Sequence, residues 1–362
     1  MTSNIGQLLI IGFDGTELSP RVASLLTKIQ PAGVILFARN IASPAQTHAL
    51  LRECKKHVAA PLLTCVDLEG GTVDRFRDVL GAAPSPAEVF TTGKKILYRK
   101  HGRIIGENCR ALGFNVDFAP VLDLAFEASR SVLSSRAVSD DPAQVVTYAR
   151  EFLRGLSEAR VLGCGKHFPG LGEATLDTHH ELPSVDKPLR KLWVEDLAPY
   201  RTLRRALPMV MVSHAAFPSV TKDRTPASLS AKWITDILRK KIGYRGLVCS
   251  DDLEMGGVLA AAPIEKAIVA HIRSGGDLGL VCHQHELVER AYEALLGESE
   301  RDRRFTRRVQ DSLRRVAAFK KKHLGGRTTP SPTRRRVETL TRRLWEFSEE
   351  IRLATLSRED NA

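Results

Sequence analysis

The chain has 362 residues, of which 43% are hydrophobic, so it can bury a large core, and α/β barrels reach this length as one domain. Its formal net charge is +12, which alone would suggest a polyanionic partner. However, residues 301–362 hold 18 basic and 8 acidic side chains, so ten of the twelve charges belong to the tail. The nearly neutral body gives no reason to expect a nucleic-acid partner.

The cysteines and the N-terminal segment bear on the compartment. The six cysteines show no CxxC or metal-type spacing, and four of them stand inside apolar runs, as small buried hydrophobic residues do. This usage is typical of a reducing compartment. The first residues lack the basic region of a signal peptide, and no apolar run reaches transmembrane length. We therefore expect a cytoplasmic protein that does not contact a membrane.

Short apolar runs of strand length recur along the chain, and longer amphipathic segments separate them. Runs this apolar, without alternation, are typical of parallel strands that are buried on both faces. The eight runs are 8–14, 33–40, 61–67, 114–120, 161–167, 208–214, 246–252 and 278–284.

Helical patterns fill the segments between these runs, among them 43–57, 141–159, 230–243 and 263–275. Ser43 and Ser230 are predicted N-caps, and Gly243 and Gly275 are predicted C-terminal stops. Eight strand–helix units in order predict a (β/α)8 TIM-type barrel, followed by a C-terminal helical extension. A doubly wound open sheet is the alternative fold, but no GxGxxG follows the first strand.

Ionisable or polar side chains stand at the C-terminal end of every predicted strand. In a barrel these ends converge on the face where active sites form, which favours a polar pocket. The alternative is that polar residues merely mark where strands leave the core. The residues are Asp14, Arg39, Asn40, Asp67, Asp117, Lys166, His167, His214, Asp251, Asp252 and His283.

Two kinds of chemistry suit such a pocket. A metal site could use histidines such as His167 and His214 with Asp251, as in barrel hydrolases. The first strand lacks the usual pair of metal-binding histidines, and the adjacent His179 and His180 point in opposite directions if the loop is extended. We therefore expect no metal and no other cofactor, with a metal-dependent hydrolase as an alternative.

Glycosyl transfer requires less from the sequence. A retaining mechanism needs one carboxylate nucleophile and one proton donor. Asp251 comes directly off the seventh strand, whereas Asp252 could cap the following turn. His179 is a candidate donor, because a carboxylate at Asp177 would favour its protonated form.

One segment carries a family resemblance. "KHFPGLGEATLDTH" (166–179) resembles the glycoside hydrolase family 3 motif KHFPG-x-G-x(4)-D-[ST]-H, in the form seen in bacterial β-N-acetylglucosaminidases of peptidoglycan recycling. Five further segments resemble that group in the same order, over about residues 8–290. They are "GVILFARN", "VDLEGGTVDRF", "NVDFAPVLDL", "SSRAVSDDP" and "SDDLEM".

The resemblance implies a retaining enzyme that removes terminal non-reducing β-linked N-acetylglucosamine from peptidoglycan fragments through a covalent glycosyl-aspartate. It implies Asp251 as nucleophile, His179 as acid/base and Asp177 as its charge partner. The sugar would be held by Asp67, Arg75, Arg136, Lys166 and His167.

Two positions depart from the family pattern and leave the substrate range open. Leu171 stands where histidine is common, and Thr72 replaces a frequent arginine. A histidine acid/base would not repel an anion after donating its proton, so phosphate could act as acceptor beside water. A β-glucosidase-like or phosphorolytic enzyme is therefore an alternative, and a sugar-binding or polyanion-binding barrel without activity is the non-enzyme alternative.

The tail is predicted to be separate from the barrel, which we place at 1–300, with a basic helical extension at 301–362 and a linker near 324–336. Six apolar residues recur at three- and four-residue steps and predict an amphipathic helix that docks on the barrel. The alternatives are a monomer or a homodimer formed through this helix. No recognised fold indicates specific nucleic-acid binding. The stripe is Val337, Leu340, Leu344, Phe347, Ile351 and Ala354.

Overall fold

The computed structural model describes residues 4–174, 182–325 and 329–359, with side chains as far as residue 357, and its centre is a closed barrel of eight parallel strands. Neighbours in the chain are neighbours in the barrel, and β8 closes it by pairing with β1. The (β/α)8 prediction is confirmed, and the doubly wound open sheet was wrong. The strands are β1 Leu9–Ile11, β2 Gly33–Ile35, β3 Leu63–Val66, β4 Val116–Asp117, β5 Leu162–Phe168, β6 Met209–Val212, β7 Leu247–Asp252 and β8 Leu278–Val281.

Seven barrel strands fall inside the predicted apolar runs and β5 extends one residue beyond its run, to Phe168, because the strands are buried on both faces. Inward-facing side chains such as Ile10, Met209 and Leu280 fill the barrel, and outward-facing ones contact the helices. All six cysteines are buried and free, as expected of small hydrophobic residues.

Helices surround the barrel. The longer ones are α1 Pro20–Ile29, α2 Pro44–Lys56, α3 Lys95–Leu112, α4 Pro142–Glu158, α5 Leu189–Val194, α6 Ala198–Leu203, α7 Ile264–Arg273, α8 His285–Arg301, α9 Arg303–His323 and α10 Arg334–Glu359. A π-type helix spans Lys232–Lys241. Short α-helical turns are Arg77–Leu80, Pro86–Thr91, Arg130–Leu133, Pro218–Thr221 and Gly256–Leu259, and 3₁₀ turns are Ile5–Leu8, Ala38–Asn40, Glu127–Ser129, Ser134–Arg136 and Ala227–Leu229.

The predicted helix caps had different outcomes. Ser43 caps α2, since its hydroxyl accepts a hydrogen bond from the Gln46 amide. The prediction for Ser230 was wrong: the π-type helix is capped by Ala231, and the Ser230 N–H closes the preceding 3₁₀ turn on Ala227. Gly243 and Gly275 follow their helices with φ of 77° and 111°, a conformation that favours glycine.

The two C-terminal helices pack against the rest of the chain. Phe305, Val309 and Val316 of α9 are buried, and α10 lies along α3. Ion pairs join Lys100 to Glu350 at 2.5 Å and Arg343 to Glu107 at 2.9 Å. The predicted stripe faces inward: Leu340, Leu344, Phe347, Ile351 and Ala354 are buried. A dimer through this stripe would require α10 to leave its own barrel.

No helix in the described part of the chain is both long enough and apolar enough to cross a membrane.

Candidate active site

The predicted polar residues gather at the C-terminal mouth of the barrel. Lys166 and His167 lie on β5, Asp251 lies on β7, Asp67 follows β3 and His214 follows β6. Because all eight strands run parallel, their carboxyl ends open on one face.

A buried ion network connects Asp67, Glu69, Lys166 and Arg136. Lys166 Nζ lies 2.7 Å from Asp67 Oδ1 and 2.7 Å from Glu69 Oε1. Arg136 donates from Nε and Nη2 to the two Glu69 oxygens, each at 2.8 Å. The Glu69 side chain is 1% exposed and that of Lys166 3%, so these charges compensate each other where water does not reach.

The network keeps Glu69, Lys166 and Arg136 ionised. Burial alone would raise the pKa of Glu69, but the charges of Arg136 and Lys166 outweigh burial and hold that pKa well below its ordinary 4.5. Burial likewise opposes the charged forms of Lys166 and Arg136, while the carboxylates of Asp67 and Glu69 raise the pKa of Lys166 and Glu69 raises that of Arg136. The mouth therefore presents fixed charges at neutral pH.

His167 is oriented by a second buried carboxylate, Asp123. The imidazole Nδ1 lies 2.6 Å from Asp123 Oδ2, and the His167 and Leu171 amides also donate to this carboxylate. The other ring nitrogen, Nε2, lies 3.4 Å from Arg136 Nη2. Asp123 thus fixes both the ring of His167 and the start of the loop that follows β5.

Asp251 is placed at the carboxyl end of β7, where its Oδ1 accepts a hydrogen bond of 2.9 Å from the Asp252 amide. Burial would raise the pKa of Asp251, but the nearby imidazoles of His167 and His214 and the Asp252 amide lower it below 3.8 overall. An ionised carboxylate aimed from a rigid strand into this mouth is suited to nucleophilic attack.

His214 braces the loop beside Asp251. Its Nε2 lies 2.8 Å from the Asp252 carbonyl, which can only accept, so Nε2 carries a proton. Its Nδ1 lies 2.7 Å from Ser228 Oγ, and burial lowers the pKa of the ring. Both ring nitrogens of His214 are thus held by hydrogen-bond partners.

Asp252 lies at the rim and caps the turn that follows β7, as expected. Its Oδ2 is 3.3 Å from His283 Nε2, and its Oδ1 accepts from the Glu254 amide. The hydrogen bond to the Asp252 carboxylate raises the pKa of His283, although partial burial alone would lower it.

The structure does not bring every predicted residue into the network. The Arg75 guanidinium lies 5.8 Å from the Phe37 ring centroid, and its buried Nε has no partner among the described residues. Asn40 and Asp117 are structural: Asn40 donates to the carbonyls of Phe13 and Gly15, and Asp117 accepts from the Leu68 amide. For these two residues, the alternative interpretation was correct: they are polar residues at the point where a strand leaves the core.

The proposed acid/base His179 and its partner Asp177 lie outside the described residues, as does His180.

Sequence reasoning missed Glu69 and Asp123. Glu69 stands two residues after Asp67, and side chains two apart on an extended segment share a side, a signal that predicts a joint approach to one cation. Asp123 stands in the quoted segment "NVDFAPVLDL", but nothing in the sequence pairs it with His167, 44 residues away.

Among the described residues, no group of three or more His, Cys, Asp or Glu side chains is placed to hold a metal ion.

The chain is similar to known proteins over most of its length. The family model described as the glycosyl hydrolase family 3 N-terminal domain matches residues 1–319, nearly nine-tenths of the chain. The chain belongs to glycosyl hydrolase family 3. A β-hexosaminidase from Xanthomonas oryzae pv. oryzae is 37% identical over 298 residues, which span 80% of this chain and 87% of that protein. One from Idiomarina loihiensis is 36% identical over 279 residues, spanning 76% and 83%.

Solved structures agree with the family. A glycoside hydrolase family 3 β-N-acetylglucosaminidase from Paenibacillus sp. FPU-7 is 34% identical with a TM-score of 0.88, and the match covers 96% of this chain and 68% of that one. A family 3 glycosyl hydrolase from Mycobacterium smegmatis is 31% identical with a TM-score of 0.80, covering 90% and 97%. This family 3 chain is therefore a glycoside hydrolase.

Proposed function

We propose that this family 3 hydrolase removes terminal non-reducing β-linked N-acetylglucosamine from peptidoglycan fragments. The main support is the ionised Asp251 carboxylate at the mouth of a barrel whose charged residues can hold sugar hydroxyls. The identity of the sugar is inferred from relatives such as the Xanthomonas β-hexosaminidase and the Paenibacillus β-N-acetylglucosaminidase.

The proposed mechanism has two displacements. The Asp251 carboxylate attacks the anomeric carbon, the glycosidic C–O bond breaks, and His179 gives its proton to the leaving oxygen. Water then attacks the same carbon, His179 takes back a proton, and the bond to Asp251 breaks with overall retention. Asp177 favours the protonated form of His179 before the first step.

The substrate contacts are assigned by charge and position. Asp67 and Lys166 face each other at the mouth, and a carboxylate beside an ammonium can accept from one hydroxyl while the ammonium donates to another. His167 and Arg136 form the next part of this wall, and Arg75 stands farther out near Phe37. We place the reaction in the cytoplasm, in peptidoglycan recycling, a location that the six free cysteines support.

The sugar assignment is tested with chromogenic substrates that share one leaving group. We expect kcat/KM for the 4-nitrophenyl β-N-acetylglucosaminide to exceed that for the β-glucoside by about 100-fold or more, as expected when buried polar groups match one substituent. Equal rates on both would contradict it. Mass spectrometry of products from purified disaccharide-peptide fragments then tests the natural substrate, and release of N-acetylglucosamine is the expected result.

A further inference from the structure

Two adjoining cavities lie at the N-terminal end of the barrel, opposite Asp251. The first, of about 810 Å³, opens where β5, β6 and β7 begin, at Leu162, Pro208 and Leu247. The second, of about 820 Å³, opens where β3, β4 and β5 begin. Both share Lys322 and His323 from the end of α9, so the two form one continuous groove. Each has the size of an ordinary small-molecule site.

The lining of this basal groove is cationic. The described residues that line either cavity include no Asp or Glu, whereas arginines, lysines and histidines come from α2, α3, α9 and the loops before the strands. The first cavity contains Arg204, Arg205, Arg245, Arg315, Lys322 and His323. The second adds His48, Arg52, Lys55, Arg110 and Arg160.

Most of this charge is not neutralised by carboxylates among the described residues. Arg315 pairs with Asp277 at 2.9 Å, and Arg52 lies 3.8 Å from Glu53. Over residues 4–174, 182–325 and 329–357, no carboxylate lies within ion-pairing distance of six others. These are Lys55, Arg160, Arg204, Arg205, Arg245 and Lys322.

The cations also lie close enough to affect each other. Burial, and after it the charge of Arg110, lowers the pKa of Lys55. Burial followed by the charge of Arg160 lowers the pKa of Arg110, and burial followed by Lys322 lowers that of His323. Like charges held together at a free-energy cost are relieved when an anion binds between them.

We propose that this basal groove binds a compact polyphosphate, that is, a small molecule carrying a chain of two or more phosphate groups. Arginine forks and lysine point charges are the side chains that recognise phosphate oxygens. The concave shape and the ligand-sized volume favour a small molecule over a duplex nucleic acid or a flat membrane surface. Apolar walls, among them Leu153, Leu207 and Phe319, leave room for an organic group beside the phosphates. This site is independent of the proposed sugar chemistry.

The test is calorimetric titration of the full chain at about 150 mM salt, where long-range attraction between exposed charges is largely screened. The probes are tripolyphosphate, ATP and inorganic phosphate. The key variant is Lys322→Glu, because Lys322 lines both cavities, and Arg205→Glu/Arg245→Glu removes two cations of the first. The matched control is Arg304→Glu, an exposed residue on the same helix outside both cavities.

We expect tripolyphosphate and ATP to bind, inorganic phosphate to bind far more weakly, and the two groove variants to weaken binding about tenfold or more while Arg304→Glu does not. Tighter binding of ATP than of tripolyphosphate would assign the apolar walls to an organic group, and equal binding would assign the site to the phosphates alone. Turnover and thermal melting of all variants should match the parent chain, since none of these residues lies at the catalytic mouth.

Equal losses in Lys322→Glu and Arg304→Glu would overturn the proposal, since net charge alone would then explain binding. Unchanged affinity in both groove variants would overturn it as well. Binding to duplex DNA or to vesicles of anionic lipid in parallel titrations, with no binding of tripolyphosphate or ATP, would also overturn it.

Discussion

At the scale of single residues, Glu69 is the carboxylate on which Lys166 and Arg136 meet. It accepts two hydrogen bonds from Arg136 and one from Lys166, and no other carboxylate among the described residues pairs with Arg136. Glu69 therefore positions two side chains proposed to hold the sugar. Its own role is structural support of the site.

Glu69→Gln should cost about 3 kcal/mol of unfolding free energy, because one charge leaves a buried network and two cations stay behind. The matched control, Glu286→Gln, breaks an exposed pair with Arg21 and should cost far less. Urea unfolding at pH 7 measures both. The pKa of Glu69 lies below 4.5, so its contribution is present above that pH and declines below it. Equal costs for the two variants would contradict the assigned network.

The imidazole of His167 should set the acid limb of the pH–rate profile. Burial raises the pKa of Asp251, and the largest of the influences that lower it is the charge of His167. His167→Gln should therefore shift the acid limb of kcat/KM to higher pH, because that limb reports ionisation of an essential base in the free enzyme. His283→Gln is the control, since His283 contacts Asp252 instead. The same shift in both variants, or in neither, would count against Asp251 as that base.

At the scale of elements, α10 is held by its buried stripe. Phe347 is 0% exposed and stacks on His101 of α3 at 5.8 Å between ring centroids, whereas Trp345 is 64% exposed. Phe347→Ala should cost about 3 kcal/mol, and Trp345→Ala on the same helix less than about 0.5 kcal/mol. Thermal or urea unfolding compares them. Similar small effects would mean that α10 does not stabilise the barrel.

Helix α9 closes the base of the barrel with a lysine. Lys320 is 3% exposed, its Nζ donates to Gln7 Oε1 at 2.6 Å, and burial lowers its pKa from 10.5 to about 7. The unfolded chain thus binds more protons between these two values, and stability increases with pH across that window.

Lys320→Met should stabilise the fold at pH 7 by on the order of 1–3 kcal/mol, because an apolar side chain replaces a buried amine. It should also flatten the rise in stability between pH 7 and 9. Lys321→Met, at the exposed neighbouring position, is the control and should change neither. A loss of stability in Lys320→Met would show that the hydrogen bond to Gln7 outweighs the cost of burial.

At the scale of the whole molecule, the barrel was predictable and several side-chain partners were not. The eight apolar runs predict strands because successive residues such as Val248 and Cys249, which point to opposite faces of the sheet, are both buried. The position of Asp251 at the mouth was predictable because it stands at the end of a strand, whereas its role as nucleophile stays a prediction. Glu69 and Asp123 were missed because polarity in a sequence does not identify a partner, and their partners Lys166 and His167 lie on β5, far along the chain. The Ser230 cap failed because the π-type helix begins one residue later than expected, with Ala231 at its N-cap position and no side-chain hydrogen bond there.

The two ends of the barrel carry different chemistry. Fixed, compensated charges surround Asp251 at the C-terminal mouth, whereas the N-terminal groove gathers cations without carboxylates among its described lining. Part of the net charge of +12 thus lies in this groove, where an anion can reach it. The catalytic mouth does not depend on that groove.

We propose that Asp251 forms the covalent bond to the sugar. This assignment is tested by treating the enzyme with a fluorinated N-acetylglucosaminyl analogue whose covalent intermediate breaks down slowly, and then locating the added mass by peptide mass spectrometry. We predict one sugar on the peptide that contains Asp251 and none on the Asp251→Asn variant, which should stay folded. A label on Asp252, on Asp67 or on any other carboxylate would contradict the account.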